Sequence, residues 1–203
     1  SDVYKRQQLK EALSRKFCLP KTYFLPGNGA SELFLGILHA LKPKKVILPV
    51  PSFYGYAYTA KAVGSEVVCV PLKKEEDFLP GEELVLALQE DAELLFLANP
   101  NNPTGKLMKP AYLENVLEVC KEKNIYVVLD ECFIEFCEKE NSMVQRLSTY
   151  RNLLIVRAFT KIYAIPGVRL GYLMCSDKEL LQKIRGQPVS YTHLRAHETL
   201  SDL

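Results

Sequence analysis

Seven short apolar runs alternate with stretches of helical character along this chain, and few folds accept that alternation. The runs cover residues 22–25, 46–48, 66–70, 94–97, 125–129, 153–156 and 169–174. Between them, residues 33–41, 82–89, 111–123 and 177–183 carry helix signals, and further helix is expected between 133 and 153. Strands interleaved with helices predict an α/β fold with a doubly wound, seven-stranded sheet. Such sheets bind ligands beyond the carboxyl ends of their strands, so the residues just past each run are the ones to inspect.

The 203 residues are 48% hydrophobic with a formal net charge of +2, which is enough apolar material for a full core. No apolar run is long enough to span a membrane. The near-balanced charge leaves no footprint for nucleic acid or an anionic membrane. Cys18, Cys69, Cys120, Cys132, Cys137 and Cys175 form no CxxC pair. Lying in apolar patterns, they predict buried free thiols in a reducing, cytoplasmic setting.

The two ends read differently from the middle. Residues 1–7 back-translate as TCA GAT GTG TAT AAG AGA CAG, and the reverse complement of most of that string, in another frame, encodes residues 188–194. One oligonucleotide at both ends in opposite orientation is the mark of a sequencing adapter. Residues 1–7 and 188–203 are therefore expected to be scars flanking a domain over 8–187, truncated at both ends. His193 and His197 have the i, i+4 spacing of a metal pair, but they fall in the scar. Only His39 then remains, and no metal site is expected.

Five places past strand ends bear chemistry. Pro26-Gly27-Asn28-Gly29-Ala30-Ser31 is a strand, a glycine turn and a helix start, either an anion site or a plain helix cap. It fails the GxGxxG pattern at its third glycine. Phe53 follows the second run, as core or lid packing or as a ring contact. Asn99-Pro100-Asn101-Asn102-Pro103-Thr104-Gly105-Lys106 ends in Gly-Lys, yet Pro100 and Leu107 exclude a nucleotide loop. Asp130 follows the fifth run, as a ligand-binding carboxylate or a loop acid. Lys161 lies past the sixth run, where burial would favour loss of its proton, as a Schiff-base lysine requires.

Taken together, these segments resemble the pyridoxal-phosphate (PLP) enzymes of the aminotransferase superfamily, fold type I, from about Thr22 to about Gly186. The resemblance implies the large cofactor-binding domain of that fold, with a mostly parallel sheet whose 169–174 strand is antiparallel and with the small C-terminal domain missing. It implies pyridoxal 5'-phosphate as cofactor, with Lys161 its covalent anchor and Thr160 and Arg169 on the phosphate. Ala30 and Ser31 would hold the same phosphate, Phe53 would stack on the ring, and Asn102 would donate to the ring oxygen. Asp130 would keep the ring nitrogen protonated, making the ring an electron sink. Phe133 takes the place at the ring where many relatives carry tyrosine, so a hydroxyl bond of about 1 kcal/mol is absent.

Within the superfamily, 25–29, 130–136 and 159–167 look most like the threonine-phosphate decarboxylases of cobalamin biosynthesis. Phe133 leans the same way. The alternative is a histidinol-phosphate aminotransferase; a further one is a regulator that senses PLP with an aminotransferase-like domain. The resemblance also implies a homodimer acting on a small phosphorylated amino substrate. The group that grips the substrate carboxylate would lie in the missing domain, and the polypeptide as given is expected to be inactive.

Overall fold

The computed structural model describes residues 2–89, 91–159 and 170–188. Its sheet contains β1 (Phe24–Gly27), β2 (Lys45–Val50), β3 (Glu66–Pro71), β4 (Leu94–Ala98), β5 (Tyr126–Asp130), β6 (Leu153–Ala158) and β7 (Gly171–Met174), in the spatial order β1-β7-β6-β5-β4-β2-β3. The pairs from β3 across to β6 are parallel, and β7 runs antiparallel to both β6 and β1. This is the mostly parallel seven-stranded sheet expected of the chain, including the reversed last strand.

Among the described residues the α-helices are α1 (Asp2–Phe17), α2 (Ala30–Leu41), α3 (Tyr54–Ala62), α4 (Glu82–Ala87), α5 (Pro110–Glu122) and α6 (Lys178–Arg185). Alternation along the strands splits the core into two layers. Leu95, Leu97, Val127, Leu129 and Ile155 face a cluster that includes Leu13 of α1 and Leu113, Val116 and Leu117 of α5. Leu94, Phe96, Val128, Leu154 and Val156 face the opposite cluster, with Leu33, Ile37 and Leu38 of α2 and Leu181 and Ile184 of α6. Strands covered on both faces must be apolar throughout, which is why these runs show no polar alternation. Each fully buried Leu or Ile contributes about 1.5–3 kcal/mol of burial.

Two expectations fail. Between β5 and β6 the chain forms no α-helix, only single 3-10 turns at Ile134–Phe136, Lys139–Asn141 and Val144–Arg146. The cause is a contact across the loop: Met143 N–H (2.8 Å) and Ser142 Oγ (2.9 Å) both donate to the buried Glu131 carboxylate, which draws that backbone inward instead of into a helix. The cysteines also divide. Cys120, Cys132 and Cys175 are buried, and burial pushes the Cys120 and Cys175 thiols up to about 12, whereas Cys18 and Cys69 are exposed and Cys137 is half-buried. Cys69 lies on β3, an edge strand, and Cys18 just past the end of α1.

Of the stretch expected to be an N-terminal scar, residues 2–7 lie in the first turns of α1, exposed over 3–7, and residues 1 and 189–203 lie outside those described. Among the described residues, no helix is long and apolar enough to cross a membrane.

At α6, the Asp177 carboxylate accepts from Leu180 N–H (3.1 Å) and pairs with Arg151 (3.1 Å), an N-cap that starts the helix. Burial alone would raise this carboxyl, but the bonds from Arg151 and the Leu180 N–H hold it below its ordinary value. A carboxyl depressed by folding stabilises the fold above its unfolded pKa and loses that contribution as pH falls through the folded one. Asp177→Ala is expected to cost about 1 kcal/mol at neutral pH. Urea titrations should show the gap between variant and parent closing in acid.

Candidate cofactor site

Register aligns the carboxyl ends of the central strands. Ala98 of β4 pairs with Asp130 of β5, Asp130 with Val156 of β6, Ala158 with Gly171 of β7, and Gly171 with Gly27 of β1. One edge of the sheet therefore carries the strand ends that lead to the glycine turn, the asparagine loop and Asp130.

At its β1 end, the chain passes through Asn28 and Gly29 into α2. Gly29 has φ 93°, in the left-handed region that favours glycine. The first N–H groups of α2 have no intrahelical acceptor and carry the positive end of the helix dipole. Ala30 and Ser31, both half-buried, begin that helix. Gly171 lets β7 pack directly against this turn, since a Cβ there would lie 3.0 Å from the Gly29 carbonyl carbon and 3.2 Å from Ala30 N.

In the middle of the edge, Asp130 is held at both oxygens. Cys132 N–H donates to Oδ1 at 2.9 Å and the Tyr56 hydroxyl donates to Oδ2 at 2.5 Å. Phe53, at the N-cap of α3, is 37% exposed and packs nearly perpendicular to the Tyr56 ring, with centroids 5.4 Å apart. Phe133 is half-buried three residues past Asp130, in contact with Phe136 at 6.5 Å.

The asparagine loop separates its three amides by what they bond. Asn99 is fully buried, accepting from Met108 N–H at 2.7 Å and donating to Met108 O at 3.4 Å. Asn101 donates to Pro51 O at 3.0 Å and Thr104 Oγ1 at 2.9 Å, tying this loop to the one that carries Phe53. Asn102 is half-buried and makes no side-chain hydrogen bond to another described residue.

Thr160, Lys161 and Arg169 lie outside the described residues. The segment that contains them leaves and rejoins the sheet at this same edge, where Phe159 N–H donates to Leu170 O at 2.9 Å.

Two features escaped the sequence reading. Tyr56 is buried beneath the site and reaches Asp130, although it lies 74 positions earlier in the chain. Its place one helical turn after Phe53 was the only available signal. Behind the edge, Arg157 of β6 and Glu131 form a buried ion pair at 2.8 Å, with Ser142 Oγ also accepting from Arg157 at 2.8 Å. Among the described residues, no group of three His, Cys, Asp or Glu is placed to hold a metal ion.

Residues 2–193 match the family model for aminotransferase class I and II. The chain belongs to that family. It is 34% identical over 184 residues to the threonine-phosphate decarboxylase of Salmonella typhimurium, covering 91% of this chain and 50% of the relative. It is 39% identical over 168 residues to the histidinol-phosphate aminotransferase of Symbiobacterium thermophilum, covering 82% and 46%. The crystal structure of the histidinol-phosphate aminotransferase from Clostridium acetobutylicum superposes with a TM-score of 0.81 at 32% identity, over 92% of this chain and 54% of that one. The chain thus spans about half the length of the curated relatives it matches.

Class I and II aminotransferases are PLP-dependent, and the chemistry of this edge fits that cofactor. A helix N-terminus suits a phosphate dianion, a doubly held carboxylate suits a pyridinium nitrogen, a partly exposed aromatic side chain suits the ring, and an uncommitted amide suits the ring oxygen. The close seat of the turn on β7 is the feature most open to a direct check. In Gly171→Ala the added methyl meets backbone atoms of Gly29, Ala30 and Arg157, none of which can swing aside. A loss of about 1–3 kcal/mol is expected from such overpacking, measured as a lowered denaturation midpoint.

Proposed function

We propose that the protein to which this chain belongs is a PLP-dependent enzyme acting on a small phosphorylated amino substrate, and that its reaction is the decarboxylation of L-threonine O-3-phosphate. The observation that carries the enzyme reading is Asp130. It stands at the carboxyl edge of the sheet with both oxygens bonded, in register with the strands that lead to Asn102 and toward Lys161. A degenerate relative serving only as scaffold would have no use for a half-buried acid held in that way.

When bound, PLP supplies an electron sink for negative charge developing at the substrate α-carbon. The residues of this chain divide the remaining work. Ala30 and Ser31, with Thr160 and Arg169, would hold the phosphate; Phe53 would cover the ring and exclude water; Asn102 would donate to the ring oxygen. Asp130 would hold the proton on the ring nitrogen. Lys161 would anchor the cofactor covalently and then carry a proton to or from the substrate α-carbon. In decarboxylation the bond from Cα to the carboxylate breaks, carbon dioxide leaves, and Lys161 returns a proton to Cα.

Support for the decarboxylase comes from the residues at 25–29 and 130–136, and from Phe133 in place of a tyrosine. The Salmonella typhimurium relative, at 34% identity over 91% of this chain, bears the decarboxylase name. A second reading, transamination of histidinol phosphate, is favoured by the 39% identity to the Symbiobacterium thermophilum relative and by the likeness to the Clostridium acetobutylicum structure. Both readings use the same cofactor machinery, so they separate only at the fate of the substrate. A homodimer is part of the proposal by analogy with the family.

The test is made on the full-length protein. With threonine O-3-phosphate it should release carbon dioxide without consuming 2-oxoglutarate. If instead histidinol phosphate is turned over only when 2-oxoglutarate is present, the transaminase reading replaces this one. Lys161→Ala should abolish the absorbance band of the lysine-linked cofactor and cut turnover by about 10²–10⁴-fold or more, the usual contribution of a positioned acid–base group. A protein that keeps both would carry its chemistry elsewhere.

A further inference from the structure

Tyr56 is buried to 1% of its surface and fixed on several sides. Its ring stacks on Phe96 (centroids 5.0 Å apart, 13° between planes), takes Phe34 edge-on at 5.3 Å and Phe53 edge-on at 5.4 Å. Its hydroxyl can move little, and the described acceptor it reaches is Asp130 Oδ2. The aromatic that would cover the cofactor ring and the acid that would bond its nitrogen are therefore joined through one side chain.

We propose that Tyr56 is a positioning residue for the cofactor: its hydroxyl, together with Cys132 N–H, fixes the plane of the Asp130 carboxylate so that the remaining lone pairs meet the ring nitrogen. This rests on the PLP reading above and adds a residue to it. A carboxylate with one held oxygen can turn about its last side-chain bond. With Cys132 N–H on Oδ1 and the phenol on Oδ2, that rotation is blocked. Burial, followed by the nearby Asp130 charge and the bond to it, raises the Tyr56 phenol well above its ordinary value of 10, so it remains a donor wherever the enzyme would work. Tyrosine at this position also differs in kind from the hydroxyl lost at Phe133. That one would have bonded the cofactor itself, whereas Tyr56 acts through the acid.

A double-substitution cycle on PLP affinity in the full-length protein tests this without reference to turnover. Tyr56→Phe keeps the ring packing and removes only the donor, and it should raise the PLP dissociation constant by about tenfold, as expected for losing a hydrogen bond to a charged group. In an Asp130→Ala background the same change should shift affinity by less than about twofold, because the residue through which it acts is gone. Equal losses in both backgrounds would mean that Tyr56 merely supports the fold, and no loss in the parent would remove the role entirely; either overturns the inference.

Should Asp130→Ala fail to fold or to bind PLP measurably, the carbocyclic analogue of PLP, with C–H in place of the ring nitrogen, gives the same comparison. Parent and Tyr56→Phe should then bind the analogue alike, and a tenfold difference there would refute the proposal. An unsubstituted protein that binds no PLP at all would sink the functional reading itself, a result easily told from these.

Discussion

A buried ion pair stands directly behind the candidate site, and the arrangement in front of it depends on how that pair is satisfied. Glu131, one residue past the end of β5, and Arg157 of the neighbouring β6 lie almost wholly out of solvent. Burying two charges costs several kcal/mol per ion unless geometry and further hydrogen bonds offset it. Here two guanidinium nitrogens reach Glu131 Oε2, at 3.1 and 2.8 Å, and Met143 N–H and Ser142 Oγ complete the carboxylate. The Phe17 ring lies 5.1 Å from the guanidinium carbon, while Glu135 sits between Arg157 and Lys16.

That network has structural consequences on both sides. Toward the loop, it holds residues 142–143 against the strand ends and prevents a continuous helix, giving the series of 3-10 turns. Toward α1, it fastens the helix end to the sheet through Phe17 and Lys16. Toward the site, it locks the relation of β5 to β6 one residue beyond Asp130. Asp130 and Glu131, adjacent in sequence, thus have separate partners: one bonds Tyr56 and Cys132 at the candidate site and the other anchors the scaffold through Arg157.

Much of the fold was legible because its signals are local. Continuous apolar runs at 94–97, 125–129 and 153–156 announced strands buried on both faces, and the glycine turn before α2 and the Asp177 cap marked helix starts. The helix expected after Phe133 did not form because a long-range acceptor, Glu131, captured its backbone, and no window of sequence reveals that competition. The cysteines illustrate the same limit. Cys69 sits in an apolar run indistinguishable by pattern from its buried counterparts, yet its strand is at the sheet edge, and strand order is a property of the whole sheet.

By itself, the sequence determined the kind of chemistry, since a lysine, an acid, an asparagine loop and a glycine turn at successive strand ends suit one cofactor class. Which partners each of those groups meets was decided only by tertiary structure. Parallel pairing lines up strand ends that lie far apart in the chain, and this brings Tyr56 to Asp130, Asn101 to Pro51 and Gly171 to the turn at Gly29. Hydrogen bonds and close packing act over a few ångströms of space, whereas the sequence orders residues only along the chain; contacts between distant segments exist only once the sheet has formed.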